Sequence, residues 1–205
     1  MGIHLDSHQI GCFLIYLREL KEWNKKINLT SIRGDQVIVI KHFVDSLTPL
    51  KYIKSCSSLL DIGSGAGFPG IPLKIADPSL SITLVDSVRK KVSFQKHIIR
   101  QLKLKGIESF QQRLGDGTKS LIKERYFDVV ISRAISHLDR YLILGGPYIK
   151  KGGELIAMMG KFKDSELKRH EKTISTLNLR HLQTIHLLLP FLNEERTLLF
   201  FKKAS

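Results

Sequence analysis

Cysteine is nearly absent from this sequence. There are two in 205 residues, and neither Cys12 nor Cys56 belongs to a set of three or four histidines and cysteines at zinc spacing. A disulfide framework and a zinc site are therefore set aside, and no metal is expected. Long apolar runs are missing as well, since no stretch approaches the roughly 18 residues that cross a bilayer. Residues 1–6 lack the basic segment and apolar stretch of a secretory signal, so a soluble cytoplasmic protein with no membrane role is expected. Repeats, low-complexity tracts and long linkers are missing too. Acidic residues are scarce, with 19 Asp and Glu against 33 Lys and Arg, a net charge of +14. A surface so basic attracts polyanions, nucleic acid before acidic lipid. The excess is uneven, because residues 1–55 hold eight Lys and Arg against five Asp and Glu. Most of it lies downstream.

What is present is an alternation of two periodicities. Over 9–27, Ile10, Phe13, Leu14, Leu17, Leu20 and Ile27 recur at steps of three and four, which predicts an amphipathic helix capped by Asp6 or Ser7. A second helix is expected over 36–50, with Val37, Ile40, Val44 and Leu47 on its apolar side. From residue 57 short apolar runs take over, predicting strands at 58–62, 82–86, 107–111, 127–132 and 154–158. Helices are expected between them, at 70–77, 88–104, 117–124 and 137–150. Alternating strand and helix means a parallel sheet covered on both faces. The last two runs, 186–189 and 197–201, are separated by too few residues for a crossover and predict an antiparallel hairpin. The organisation expected is an N-terminal helical extension over 1–55 packed on a domain over 56–205.

The first strand runs into Asp61-Ile62-Gly63-Ser64-Gly65-Ala66-Gly67-Phe68-Pro69-Gly70. Glycines here let the chain turn tightly and admit a ligand without Cβ clashes. Asp86 ends the second strand, where a carboxylate reaches the ribose hydroxyls of a nucleotide-like ligand. A dinucleotide fits less well. Pro69 and Pro72 disturb the helix start that would receive a pyrophosphate, and the closing hairpin is foreign to a simple dinucleotide domain. No Gly-Lys-Ser/Thr follows, which excludes a P-loop. Glycine loop, acidic second strand and terminal hairpin together give the pattern of Rossmann-like S-adenosylmethionine-dependent methyltransferases. Gly63, Gly65, Gly67 and Asp86 are then cofactor residues, and Asp61 meets the amino acid end of the ligand.

Several stretches outside the loop carry a narrower likeness. Trp23-Asn24-Lys25-Lys26-Ile27-Asn28-Leu29-Thr30-Ser31, Lys41-His42-Phe43-Val44-Asp45-Ser46-Leu47, Leu84-Val85-Asp86-Ser87 and Val130-Ile131-Ser132-Arg133-Ala134 closely resemble the ribosomal RNA small subunit methyltransferase G family, also called glucose-inhibited division protein B. The resemblance spans nearly the whole chain and is weakest after about residue 163. It implies a bacterial, seven-stranded methyltransferase that uses S-adenosylmethionine to methylate N7 of one guanosine in 16S rRNA. It places ligand contacts at Gly63, Phe68, Leu114, Gly115 and Arg133. Two departures from the family pattern stand out. Acidic residues often follow the arginine after the third strand, whereas Arg113 precedes Leu114-Gly115-Asp116, leaving adenine to backbone groups or Asp116. A Lys-Gly often follows the fifth strand, where Met159-Gly160 stands here with Lys161 next.

Guanine N7 has a lone pair and no proton, so its methylation requires alignment rather than a general base. Arg133, at the end of the fourth strand, is the candidate for positioning the acceptor. His42, Asp45 and Ser46, at helical spacing, are candidates for the acceptor side or for a helix-packing network; as a hydrolytic triad they fail, because one helix face does not aim such a relay. Arg113 and Lys161 complete the candidates. Arg89, Lys90, Lys91, Lys96, Arg100, Lys103 and Lys105 form a basic stretch suited to phosphates or to plain solvation. The partner expected is 16S rRNA or the small ribosomal subunit, bound by a monomer. Alternatives are a methyltransferase acting on another RNA, a protein or a small molecule, and a non-catalytic RNA-binding protein.

Overall fold

A computed structural model describes residues 2–116, 122, 126–135 and 137–204. Helix α1 (Ser7–Ile27) opens on a capping box, in which Asp6 accepts from the Gln9 N–H and the Gln9 side chain accepts from the Asp6 N–H. Its buried face carries Cys12, Phe13, Tyr16 and Leu20. Ile10 and Leu14 of the expected stripe lie exposed, because that face is centred on Phe13, Tyr16 and Leu20 and leaves both on its flank.

The helix expected over 36–50 is composite. α2 (Asp35–Ile38) passes into a π-helical segment (Val39–Val44), then α3 (Asp45–Leu47) and a 3₁₀ turn (Leu50–Tyr52). The widened turn rotates α3 relative to α2. Apolar spacing alone does not reveal it.

Seven strands form one sheet: β1 (Ser58–Ile62), β2 (Ser81–Asp86), β3 (Ile107–Gln111), β4 (Phe127–Arg133), β5 (Ile149–Met159), β6 (Leu179–Leu188) and β7 (Glu195–Lys203). Their order is β3-β2-β1-β4-β5-β7-β6. The first five are mutually parallel, and β7 runs antiparallel to both neighbours. The seven-stranded α/β arrangement with a terminal hairpin is therefore the expected one. Chain direction across the sheet reverses between β1 and β4. The carboxyl ends of these two strands make the crevice where open α/β sheets bind ligands.

Period-two alternation sends Leu59 and Leu60 to opposite faces. Leu59 packs with Tyr16, Phe43, Phe94 and Phe200 beneath α1, α4 (Gly70–Ala76) and α5 (Arg89–Gln101). Leu60 packs with Val130, Tyr141, Leu142 and Phe201 beneath α6 (Leu138–Gly145) and α7 (Glu171–Thr176).

The helix expected over 137–150 stops at Gly145. Gly146, Pro147 and Tyr148 form a 3₁₀ turn, since a proline ring cannot continue a helix interior, and Ile149 opens β5 early. Neither α7 nor the long start of β6 is among the elements that the sequence pattern predicts. As an edge strand β6 buries little, so polar residues interrupt its pattern. The helix expected over 117–124 lies outside the described residues.

Candidate active site

The glycine loop leaves β1 and crosses to β2. The Gly63 and Ser64 N–H groups both donate to the Val85 carbonyl, at 2.8 and 3.1 Å. Gly63, Gly65 and Gly67 take φ of 70°, 59° and 101°, a region that favours glycine. The demand is sharpest at Gly67, where a Cβ would lie 2.4 Å from Ile71 Cδ1 and 2.8 Å from the Tyr16 hydroxyl. At Gly63 the space a Cβ would fill is open, which is where a ligand can approach the backbone.

Two side chains that the sequence did not single out clamp this loop. Tyr16, fully buried on α1, donates to the Ala66 carbonyl at 2.5 Å. Gln95, fully buried on α5, donates to Ser64 Oγ at 2.9 Å and to the Gly65 carbonyl at 2.6 Å. Nothing in a helical apolar pattern separates such residues from ordinary core positions.

Asp86 accepts from the Gly65 N–H and the Val88 N–H, both at 2.8 Å. A carboxylate has about four lone-pair sites, so two bonds leave capacity for a vicinal diol. Asp61 is fully buried. Its Oδ2 accepts from the Gly70 N–H at 2.8 Å, and its Oδ1 has no partner among the described residues. Burial pushes its pKa up to about 7, against the Gly70 N–H and the Arg133 charge. A buried acceptor left open costs about 1–3 kcal/mol, which an incoming ammonium would relieve.

Two cavities meet at the end of β4. One, of about 360 Å³, is lined by Gly63, Arg133, Ala134, Ile135, Tyr141 and Leu144 among others. The other, of about 370 Å³, is lined by Lys41, His42, Asp45, Arg133, Met159 and Arg196 among others. Arg133 and Ala134 belong to both. Ala134 holds a left-handed backbone with φ 57°, unusual outside glycine and a mark of local strain at the junction.

Arg133 is fixed from several sides. Nη1 donates to the Lys41 carbonyl at 2.7 Å, within the π-helical segment, and stands 3.5 Å from Asp45 Oδ2. Nη2 donates to His42 Nδ1 at 3.0 Å, and the guanidinium lies 4.9 Å over the Phe68 ring. Because His42 Nδ1 accepts here, the proton sits on Nε2, which donates to Thr30 Oγ1 at 2.8 Å. Burial, then the Arg133 charge, lowers the His42 pKa to about 3, so the ring stays neutral. It stacks on Phe68 with centroids 4.5 Å apart. Asp45 Oδ2 also meets Arg196 Nε at 3.2 Å, while Oδ1 has no partner among the described residues. Burial raises the Asp45 pKa, and the two guanidiniums oppose that rise.

The structure thus brings His42, Asp45 and Arg133 to one cavity. Ser46 is fully buried and donates to the His42 carbonyl, so it belongs to helix packing. Phe68 is buried between the Tyr16 and His42 rings, leaving its backbone for any ligand. Leu114 packs into the core beneath α6. Gly115 abuts Leu144, whose Cδ2 lies 2.5 Å from where a Cβ would sit, so this loop borders the first cavity. Arg113 and Asp116 are exposed. Lys161 is exposed and pairs with Glu195 at 3.0 Å. Met159 and Gly160, not Lys161, line the second cavity.

The residues present fit S-adenosylmethionine. Asp86 suits its ribose, the open backbone of Gly63 its approach, and Ile135 and Leu144 offer apolar contact, while Asp61 is fully buried and lines neither cavity, so it would meet the ammonium only once the ligand reaches it. Among the described residues no group of three or more His, Cys, Asp or Glu is placed to hold a metal.

The sequence profile of rRNA small subunit methyltransferase G matches residues 9–198. A ribosomal RNA small subunit methyltransferase G from Geotalea uraniireducens is 41% identical over 205 residues, covering 100% of this chain and 93% of that protein. One from Lachnoclostridium phytofermentans is 39% identical over 207 residues, covering 100% and 86%. Among solved structures, a SAM-dependent methyltransferase from Aquifex aeolicus superposes with a TM-score of 0.61 at 15% identity, covering 80% of this chain and 92% of that one. A ribosomal protein L11 methylase from Lactobacillus delbrueckii gives 0.59 at 11% identity, covering 85% and 81%. The last two likenesses bear on the fold alone.

Proposed function

The chain belongs to the rRNA small subunit methyltransferase G family, and from that premise we propose that it methylates N7 of one guanosine in 16S rRNA, free or within the small ribosomal subunit. It is an S-adenosylmethionine-dependent rRNA methyltransferase. The observation that carries the finer reading is the junction at Arg133 and Ala134, where a cavity beside the glycine loop meets one lined by Lys41, Arg133 and Arg196 together with the carboxylates Asp45 and Glu194 that pair with them. The first, which Gly63 lines, receives the donor, with Asp86 beside the same loop for its ribose and Asp61 buried behind it. The second receives the base.

When bound, S-adenosylmethionine supplies an electrophilic methyl group, whose C–S electron pair returns to sulfur as the N7 lone pair forms the new N–C bond. The protein's part is alignment, which brings the reacting atoms to near-attack distance. The titratable groups at the junction agree with that division of labour. His42 is neutral with both ring nitrogens committed, and Asp45 is tied to two guanidiniums. No base is called for here, because N7 has no proton to give. Arg133 is held rigid by the Lys41 carbonyl and His42, so its remaining N–H groups present a fixed donor set to the base. The protein acts as a monomer in the cytoplasm, without a metal and away from membranes.

The test is to incubate the chain with radiolabelled S-adenosylmethionine and either small subunits or naked 16S rRNA. Label in one guanosine that becomes cleavable after borohydride and aniline is the expected result. Absence of label from every RNA overturns the proposal, and label at another atom overturns the N7 assignment.

A further inference from the structure

We propose that Asp45 is the residue that selects guanine, its Oδ1 accepting from N1–H and the exocyclic amino group of the target base while Arg133 donates to O6. The inference rests on the guanine-N7 reading above and specifies how that base is seated. Three observations carry it. Asp45 lines the acceptor cavity and is more than nine-tenths buried. Its Oδ2 is committed to Arg133 and Arg196, whereas Oδ1 has no partner among the described residues. Oδ1 is closed to solvent, so the base must displace part of the cavity wall to reach it; a buried acceptor calls for a donor, and among the described residues the protein supplies none.

The third observation is order. Around its perimeter, guanine presents N7 and O6 on its major-groove edge, then N1–H and the amino group on its pairing edge. Along the site stand the donor cavity at Gly63 and Ala134, then Arg133, then Asp45, with Arg133 shared by both cavities. Acceptor faces donor at each step when N7 points to the donor cavity. Adenine also has an N7, but its N1 is an acceptor and would face the Asp45 carboxylate lone pair to lone pair. A site built for hydrogen-bond donors rejects a base that lacks them far more strongly than an apolar slot does.

The contact also strengthens as reaction proceeds. Forming the N7–methyl bond leaves positive charge on the purine, which makes N1–H a better donor. The bond to Asp45 is therefore tighter in the transition state than in the ground state, and such bonds raise kcat.

The experiment uses 16S rRNA ligated with guanosine or inosine at the target and assembled into small subunits. Inosine keeps N7, O6 and N1–H and lacks only the amino group. The wild-type chain is expected to methylate guanosine about tenfold faster than inosine. Asp45→Asn is expected to lose about 10- to 100-fold in kcat/KM on guanosine, mostly in kcat, and to bring the guanosine-to-inosine ratio near one. Its affinity for S-adenosylmethionine should stay unchanged, which an Asp45 that merely holds the fold would not predict. A wild-type ratio near one overturns the inference. So does a ratio that persists in Asp45→Asn, or in Asp45→Ser if the amide variant does not fold. A wild-type chain that leaves guanosine N7 unmethylated fails the parent reading instead.

Discussion

Asp61 and Asp86 flank one loop, yet their surroundings set them different tasks. Asp86 satisfies two backbone N–H groups that shape the loop. Asp86→Ala is expected to raise the dissociation constant for S-adenosylmethionine at least tenfold and to lower stability by about 1.5–3 kcal/mol, the range for hydrogen bonds to a charged group. Calorimetric titration and thermal melts check both, and unchanged affinity would remove Asp86 from the cofactor site. Asp61 titrates unusually high, at about 7, because it is buried. A carboxyl whose folded pKa lies above its unfolded value holds its proton longer in the native state. Its contribution to stability is complete below about pH 4 and is lost as pH rises towards 7. The ligand-free wild type should therefore lose stability over that window relative to Asp61→Asn. Affinity for the ligand's ammonium should run the other way, tightening as Asp61 ionises and staying flat in the asparagine variant. Parallel pH profiles of the two proteins would contradict the assignment.

The N-terminal helix does more than cover apolar surface. Through Tyr16 it reaches the loop carbonyl at Ala66, and through Phe43 and Phe68 the next helical segment joins the same aromatic stack. Tyr16→Phe keeps the ring and leaves that carbonyl without a donor. It should cost about 1–3 kcal/mol in stability and weaken cofactor binding, and a melt with a parallel titration reads both. Much of this architecture was legible in the sequence. The central strands are buried on both faces, so β1, β2 and β4 appear as short, mostly apolar runs, and glycines mark the loop by their backbone freedom. Other elements were hidden for physical reasons. Lys150, Lys151, Gly152 and Gly153 carry the start of β5 without apolar alternation. His181 and Gln183 do the same in the exposed edge strand β6. A π-helical segment keeps the spacing of an α-helix to the eye while turning His42 and Asp45 towards Arg133. Tyr16 and Gln95 sit at helix-core positions, and only the folded chain shows that their polar ends hold the loop.

Over the whole molecule, charge and shape divide the labour. The exposed cations of α5 include Lys96 and Arg100, and neither is in an ion pair among the described residues. If they meet rRNA phosphates, each contact releases counterions on binding. Lys96→Ala combined with Arg100→Ala should raise KM for small subunits and make the logarithmic salt dependence shallower by about two. Affinity for S-adenosylmethionine should hold, and an unchanged salt slope would assign that face to solvation alone. The junction at Ala134 has its own consequence for inhibition. Two chambers that share Arg133 and Ala134 adjoin at those two residues, so one covalent molecule that reaches past them would address both. Joining a purine to an adenosyl amino acid by a single short tether turns the second binding event into an intramolecular one. Its effective concentration is then set by the tether, not by the solution.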